Sequence, residues 1–496
     1  MTSNDPYGAL LEHAKQTEAL GQVAGLLSWD QEAVMPHKGS EARSEQAGAM
    51  SSVIHSRRSD PRMAEWLDAI DADALDAVGQ ANVRLLRQAH ERAIRVPGAL
   101  AAELARTTAR AHQTWAEARE ADDVTAFLPT LRKVIELTRE QASCLSDEDQ
   151  NPYDALIELY EPGATAESIG EIFGRLRSGL VDLRGRISES RVEIPPMDGR
   201  FPKEAQLAVA DRLVRAYGYD LDAGRLDLVV HPFCSGTRND VRITTRIDEA
   251  DPFNCLYSTI HETGHALYEQ GLDPDLVWQP AGGSVSMGVH ESQSRLCENQ
   301  IGRSKAFAQY LYPLMQQHFA DFGLESAEAL YRATNHVRSG YIRTEADEVH
   351  YNLHIMMRFE LERALIGGDL AVDDLEAAWN DRFKADFGRE VDVASNGVLQ
   401  DVHWSAGLFG YFPTYSLGNI YAAELFAAMR VAQPDLDAQI ARGDLADAVS
   451  WLRTHVHRPG SIHKPTEVIA KACGHAPTEH PLLDYLNAKF GAMYGV

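Results

Sequence analysis

Apolar residues recur three and four positions apart over most of the chain, the spacing that lines one face of an α-helix. In ALLEHAKQTEALGQVAGLL, Leu10, Leu11, Ala14, Leu20, Val23 and Leu27 follow it. The same period covers most of positions 8–220 and 305–390. Pro162-Gly163 stops one helix, and Thr165 is the expected N-cap of the next. Glu167 follows in the first turn, where a negative charge suits the helix dipole. Position 168 is Ser rather than Glu or Gln, so no full capping box is expected. Two stretches break the helical period. LDLVVHPF (226–233) and DVRITTRI (240–247) are rich in β-branched residues, and CSGTRN between them supplies turn chemistry. They predict a small antiparallel hairpin. No strand–helix alternation signals a parallel sheet, and no repeat or low-complexity linker marks a boundary. The expected fold class is therefore mostly α: a single unit over 1–496 with a small antiparallel β-sheet. Along the chain this gives a helical region over about 1–220, a core over about 225–420 and C-terminal helices over about 420–496.

Composition narrows the partners. The 496 residues are 44% apolar and 24% charged, ordinary for a globular protein. No apolar run approaches the roughly 18 residues that span a bilayer. The first residues lack a basic stretch followed by an apolar one, so no signal peptide is expected. Five scattered cysteines without a CxxC pair suit reduced thiols and a cytoplasmic location. A net charge of −26 repels nucleic acid and anionic membranes, so neither is an expected partner. Any anionic group of a substrate must be met by local cations.

Candidate chemistry centres on YSTIHETGHALYEQG, residues 257–271, which fits H-E-x-x-H. Asp251-Pro252 reads as N-cap and first helical residue, Gly271 as the stop beyond the last turn, and Leu256, Ile260 and Leu267 as a buried stripe. On such a helix His261 and His265 lie about 6 Å apart on one face and can converge on one cation. Glu262 lies roughly 100° further round, placed to act as general base on a water. By composition the pentapeptide arises by chance in about one chain of this length in twenty. Gly264 lowers helix stability by about 1 kcal/mol relative to Ala, so a backbone, of substrate or of the hairpin, is expected close to it. A third ligand must come from elsewhere. Glu269 shares the helix and is less able to complete a tetrahedral set. Glu291 and Glu298, in GVHESQSRLCENQ, share a face of a second helix, and spacing favours Glu291 only modestly. His290 is a further candidate, although a histidine in that position is more often a supporting or surface group than a ligand.

The order of motifs extends the picture. HPF (231–233), DVRIT (240–244), HETGH (261–265), HESQ (290–293), IRTEAD (342–347) and GVLQDVHW (397–404) follow one another. SWDQEAVMPHKGSEARSEQ lies before them and KPTEVIAKACG after them. This sequence resembles the carboxypeptidase Taq family of metallocarboxypeptidases over essentially its whole length. The resemblance implies a neurolysin-like helical fold with a deep active-site groove, usually a homodimer. It implies one Zn2+ per subunit, with Co2+ possible, held by His261, His265 and Glu291, and Glu262 as the base. It implies hydrolysis of the last peptide bond of peptides with a free C-terminus, with broad specificity. A free α-carboxylate is best met by an arginine fork. Arg343 of IRTEAD, together with Tyr415 of the FPTY loop, resembles the family's pair that grips the C-terminus. From the residues alone Arg343 can also pair with Glu345 or Asp347, and Arg242 is its rival, with Asp240 as an alternative partner. His403 and His231 are candidate oxyanion donors. Glu345 and Asp347 are candidate acceptors for the second ring nitrogens of His261 and His265. The pair His350 and His354 lacks an intervening Glu and reads as structural, and Gln400, Asp401 and His403 line a groove or cap a turn. Two other readings remain: an endo-oligopeptidase with the same metal set, and a non-catalytic peptide-binding protein, although no ligand is missing.

Overall fold

The computed structural model of the chain describes residues 5–496. The elements that place the functional residues are, in chain order, helices α1 (Pro6–Ala33), α2 (Ala166–Glu189) and α3 (Lys203–Ala216). Strands β1 (Gly224–Leu228), β2 (Cys234–Thr237) and β3 (Asp240–Thr245) follow. Then come helices α4 (Pro252–Gly271), α5 (Met287–Arg295), α6 (Glu348–Gly367), α7 (Leu375–Phe387) and α8 (Pro413–Ala432). The fold is mostly helical, as the periodicity predicts. Among the described residues no helix is long and apolar enough to cross a membrane, and all five cysteines are free thiols.

The chain gathers into two compact units that do not follow the boundaries drawn along the sequence. One takes the residues up to Ile94, Ile194–Thr334 and Glu424–Pro477. The other takes Arg95–Glu193, Asn335–Ala423 and Thr478–Val496. In the first unit α4 is the core helix. It packs on α3, on β3 and on α5. Its Cys255, Leu256, Ile260, Ala266, Leu267 and Tyr268 are all buried, so the predicted stripe widens to nearly the whole circumference. In the second unit α6 is equally enclosed, against α2 and α7.

The sheet departs from the predicted hairpin. Its order is β1-β3-β2, and the outer strand β1 pairs parallel to β3, Leu226 opposite Ile243. The antiparallel hairpin is β2–β3, Cys234 opposite Ile243, so residues read as a turn form a strand. Cys-Ser-Gly-Thr has little strand propensity, and pairing partners decide its state. The reversal is confined to Gly236–Asp240, where Gly236 (φ 94°) and Arg238 (φ 58°) adopt left-handed backbone. The segment that carries β1 past β3 is fastened by Thr244, whose hydroxyl accepts from Phe233 N at 2.7 Å and donates to Phe233 O at 2.9 Å.

Two helix ends also differ. Thr165 caps α2 through a full capping box. Its Oγ1 accepts from Ser168 N, and Ser168 Oγ accepts from Thr165 N at 3.0 Å. A serine hydroxyl reaches back as Glu or Gln would. Asp251 caps α4 as expected, accepting from Phe253 N, but Gly271 is the last helical residue rather than a left-handed stop. Its reason is close approach, because a Cβ there would strike the His457 ring.

Candidate active site

His261 and His265 project from one face of α4, with ring centroids 4.9 Å apart. Glu291 reaches them from α5. Its Oε2 lies 3.8 Å from His261 Nε2 and 3.5 Å from His265 Nε2. One donor atom of each residue falls within 4.8 Å of the others, which fits a single cation about 2 Å from each. Among the described residues no other group of His, Cys, Asp or Glu converges this way. Gly264 makes the geometry attainable. A Cβ on it would lie 2.5 Å from Gln293 O and 2.5 Å from Ser294 Cα. The backbone that passes close is therefore that of α5, neither substrate nor hairpin. A glycine notch in the helix of the two histidines seats the helix of Glu291.

Charge around the cluster is finely set. Burial pushes the Glu291 carboxyl up, but Arg295 and the two imidazoles outweigh it and hold it well below the usual carboxylate range. Arg295 Nε donates to its Oε1 at 2.7 Å, which leaves Oε2 toward the imidazoles. Glu262, 6% exposed, is pushed up to about 7 by burial.

The second ring nitrogens are not met by Glu345 or Asp347. His261 Nδ1 faces Glu298 Oε2 at 2.9 Å, and Arg295 and Arg303 brace that carboxylate. Glu298 lies in a π-helical turn, Leu296–Ile301, that continues α5. The wider turn breaks the seven-residue register that would stack Glu298 on Glu291. The competitor for the third ligand position is thus carried to the far side of His261. His265 Nδ1 faces His290 Nδ1 at 2.6 Å, and His290 Nε2 faces Glu269 Oε1 at 3.0 Å. Asp347 instead caps α6, accepting from Val349 N and His350 N, and pairs with His350 Nδ1 at 2.8 Å. Glu345 is exposed in a short 3-10 turn. His350 and His354 pack on Phe387, in keeping with a structural pair.

His231 is exposed on the β1–β2 connection. Arg242 directs both arms of its fork at Asp240, at 2.7 and 3.0 Å, and lies 4.2 Å from the centroid of the Trp29 ring.

The second unit holds a separate buried cluster. Arg343 is 5% exposed and Arg358 fully buried. Arg343 donates to Asp401 Oδ1 from Nε at 3.0 Å and from NH2 at 2.8 Å, and from NH1 to the Tyr351 hydroxyl at 3.2 Å. Arg358 donates from Nε to Asp401 Oδ2 at 2.7 Å. The partner of Arg343 is therefore neither Glu345 nor Asp347. Gln400 accepts from Arg343 N at 2.9 Å, which fixes the turn beneath it. Tyr415, in the first turn of α8, shares a 3.1 Å hydrogen bond with His403 Nε2, and its ring lies 5.1 Å from the Arg343 guanidinium. Burial pushes His403 down to about 3 and Arg343 adds to this, so the ring is neutral. Two guanidiniums against one carboxylate leave this enclosed cluster one positive charge in excess. Sequence reading missed Arg358 and the central place of Asp401. A signal was present in HYNLHIMMRFELE, where His350, His354, Arg358 and Glu362 recur every fourth position within a largely apolar helix.

The histidine pair, the carboxylate from a second helix and the adjacent glutamate define a metallopeptidase type of site. A model of the carboxypeptidase Taq (M32) metallopeptidase family matches residues 9–490. Thermostable carboxypeptidase 1 of Thermus thermophilus is 43% identical over 511 aligned positions that cover all of both chains. Carboxypeptidase 1 of Bacillus subtilis is 35% identical over 97% of each. Among solved structures, the M32 carboxypeptidase of Deinococcus radiodurans superposes with a TM-score of 0.93 at 40% identity, covering 99% of this chain and 100% of that one. The carboxypeptidase of Pyrococcus furiosus gives 0.95 at 34% identity, covering 99% of each. The chain belongs to the carboxypeptidase Taq (M32) family of metallopeptidases.

Proposed function

We propose that the protein is a zinc-dependent carboxypeptidase that removes single residues from the free C-termini of peptides with broad side-chain tolerance. The observation that carries this reading is the convergence of His261, His265 and Glu291 beside the buried Glu262. Two histidines and a carboxylate suit Zn2+ with one position left open, and the same donors accept Co2+. Bound there, one divalent ion per subunit supplies Lewis acidity, polarising the scissile carbonyl and acidifying water. Glu262 takes up the proton of the attacking water and passes it to the leaving amine. A carboxyl group poised near 7 suits both transfers. Arg343 and its excess positive charge are assigned to the substrate α-carboxylate, with Tyr415 and neutral His403 as hydrogen-bonding partners. Arg242, paired one to one with Asp240, is the weaker candidate, whereas Arg343 shares the Asp401 carboxylate with Arg358. Glu298 and His290, rather than Glu345 and Asp347, orient the ligand imidazoles. His231 is exposed and remains only an alternative oxyanion donor. A homodimer in the cytoplasm completes the reading, the five free thiols suiting a reducing compartment.

The test is a time course on an unblocked peptide, read by mass, with and without chelator. A ladder of single losses from the C-terminus, abolished by chelation, is expected. The same peptide as a C-terminal amide should resist. Internal cleavage of the amide at the rate of the acid would instead establish an endo-oligopeptidase.

A further inference from the structure

Glu269 and His290 have no place in the three-ligand scheme, yet both are buried or nearly so against it. Residues 265 and 269 are four apart on α4, hence one turn and about 6 Å from each other along the axis. His290, on α5, fits between them. One ring nitrogen faces His265 Nδ1 at 2.6 Å and the other faces Glu269 Oε1 at 3.0 Å. An imidazole is the right length to bridge an i, i+4 pair.

Proton placement follows from the acceptors. Glu269 offers only lone pairs to His290 Nε2, so that nitrogen carries the hydrogen. A neutral His290 then has a bare Nδ1. It can only accept, so His265 Nδ1 must donate to it. The hydrogen of neutral His265 is thereby fixed on Nδ1, and its Nε2 lone pair faces Glu291 Oε2, 3.5 Å away. The opposite tautomer would set His290 Nε2 lone pair against carboxylate lone pair and place a hydrogen where the cation belongs.

We infer that Glu269 and His290 are positioning residues that act as a two-step relay, selecting the metal-binding tautomer of His265. The inference rests on the reading of His265 as a metal ligand. It also makes the two ligand imidazoles unequal. His261 is backed directly by the Glu298 carboxylate and is the stronger electron donor, while His265 is backed by a carboxylate only through the intervening His290 ring.

Four variants separate hydrogen bonding from packing. His290→Phe keeps a ring beside Tyr268, whose centroid is 5.2 Å away, but accepts nothing. His290→Gln loses the ring and keeps an acceptor. Glu269→Met removes the terminal acceptor, and Glu269→Gln retains one. Zn2+ affinity of the metal-free proteins is measured by competition with a chromophoric chelator, alongside the visible spectrum of the Co2+ forms and the melting temperature of the metal-free forms. The relay predicts affinity roughly 10–100-fold weaker in His290→Phe, with a changed Co2+ spectrum and most of the loss recovered in His290→Gln. Glu269→Met should weaken binding more than Glu269→Gln. Wild-type affinity in His290→Phe, or a greater loss in His290→Gln than in His290→Phe, would overturn the relay and leave the metal reading standing. If His290→Phe does not fold, Glu269→Met decides the matter, since wild-type affinity there overturns it. Absence of Zn2+ binding by the wild-type protein would overturn both.

Discussion

Glu262 follows His261 by one residue and is almost enclosed, and that enclosure raises its carboxyl into the neutral range. Its proposed work is proton transfer, not metal retention. Glu262→Gln should therefore lower kcat by about 10²–10⁴-fold, the usual contribution of a general base. Zn2+ content should stay at the wild-type level, read by elemental analysis of the same preparation. Unchanged turnover would remove Glu262 from the mechanism. Asp401 presents the opposite case, a single carboxylate serving two guanidiniums. Burial pushes its acidity down, but Arg343 and Arg358 outweigh this and hold the carboxyl far below the usual range. Asp401→Asn leaves two buried cations without a counter-charge. Removing one partner of a buried pair typically destabilises by about 3–5 kcal/mol. Thermal unfolding should show that loss, whereas Asp240→Asn, at an exposed carboxylate paired with Arg242, should shift the melting temperature little.

At the scale of elements, α4 and α5 act as one device. Gly264→Ala places a methyl group against the α5 backbone, which cannot rotate away as a side chain can. Over-packing of this kind typically destabilises by about 1–3 kcal/mol. Because α5 carries Glu291, Zn2+ affinity should fall with stability. A variant that lost stability and kept affinity would separate the notch from the metal site. The helix α4 was legible in advance because its signals are local: an Asp-Pro start, an apolar stripe and two histidines four apart. The notch was legible as a need for room, but not as to what fills it. Glu298 could not be placed, since a π-helical turn leaves no mark in residue spacing. The parallel pairing of β1 was equally hidden. Strand content showed in the β-branched residues, whereas the partner of β1 is set by the crossing segment held at Thr244. Arg343 stood out by type and motif. Its partner Asp401 lies 58 positions away, beyond any periodic signal.

At the scale of the whole chain, periodicity foretold helices but not their grouping, because each unit is assembled from three separated segments. Charge is the whole-chain property that sequence does carry. The net −26 repels the α-carboxylate common to every carboxypeptidase substrate. In the proposed reading, the buried cluster around Arg343, one positive charge in excess, meets that group only at short range. Approach and capture are thus governed by opposite signs. Approach acts through solvent and is screened over about 8 Å at physiological ionic strength, while a buried cluster is screened far less. Peptides that differ only in two side chains away from the C-terminus, both Lys or both Glu, should therefore separate in kcat/KM at low salt. Raising salt from roughly 20 mM to 0.3 M should lower the value for the lysine peptide and raise it for the glutamate peptide, so that the two converge. The effect should sit in kcat/KM, because steering acts before the bound complex forms, and kcat should change little. Parallel salt dependences for the two peptides would show that the overall field plays no part in selecting substrates.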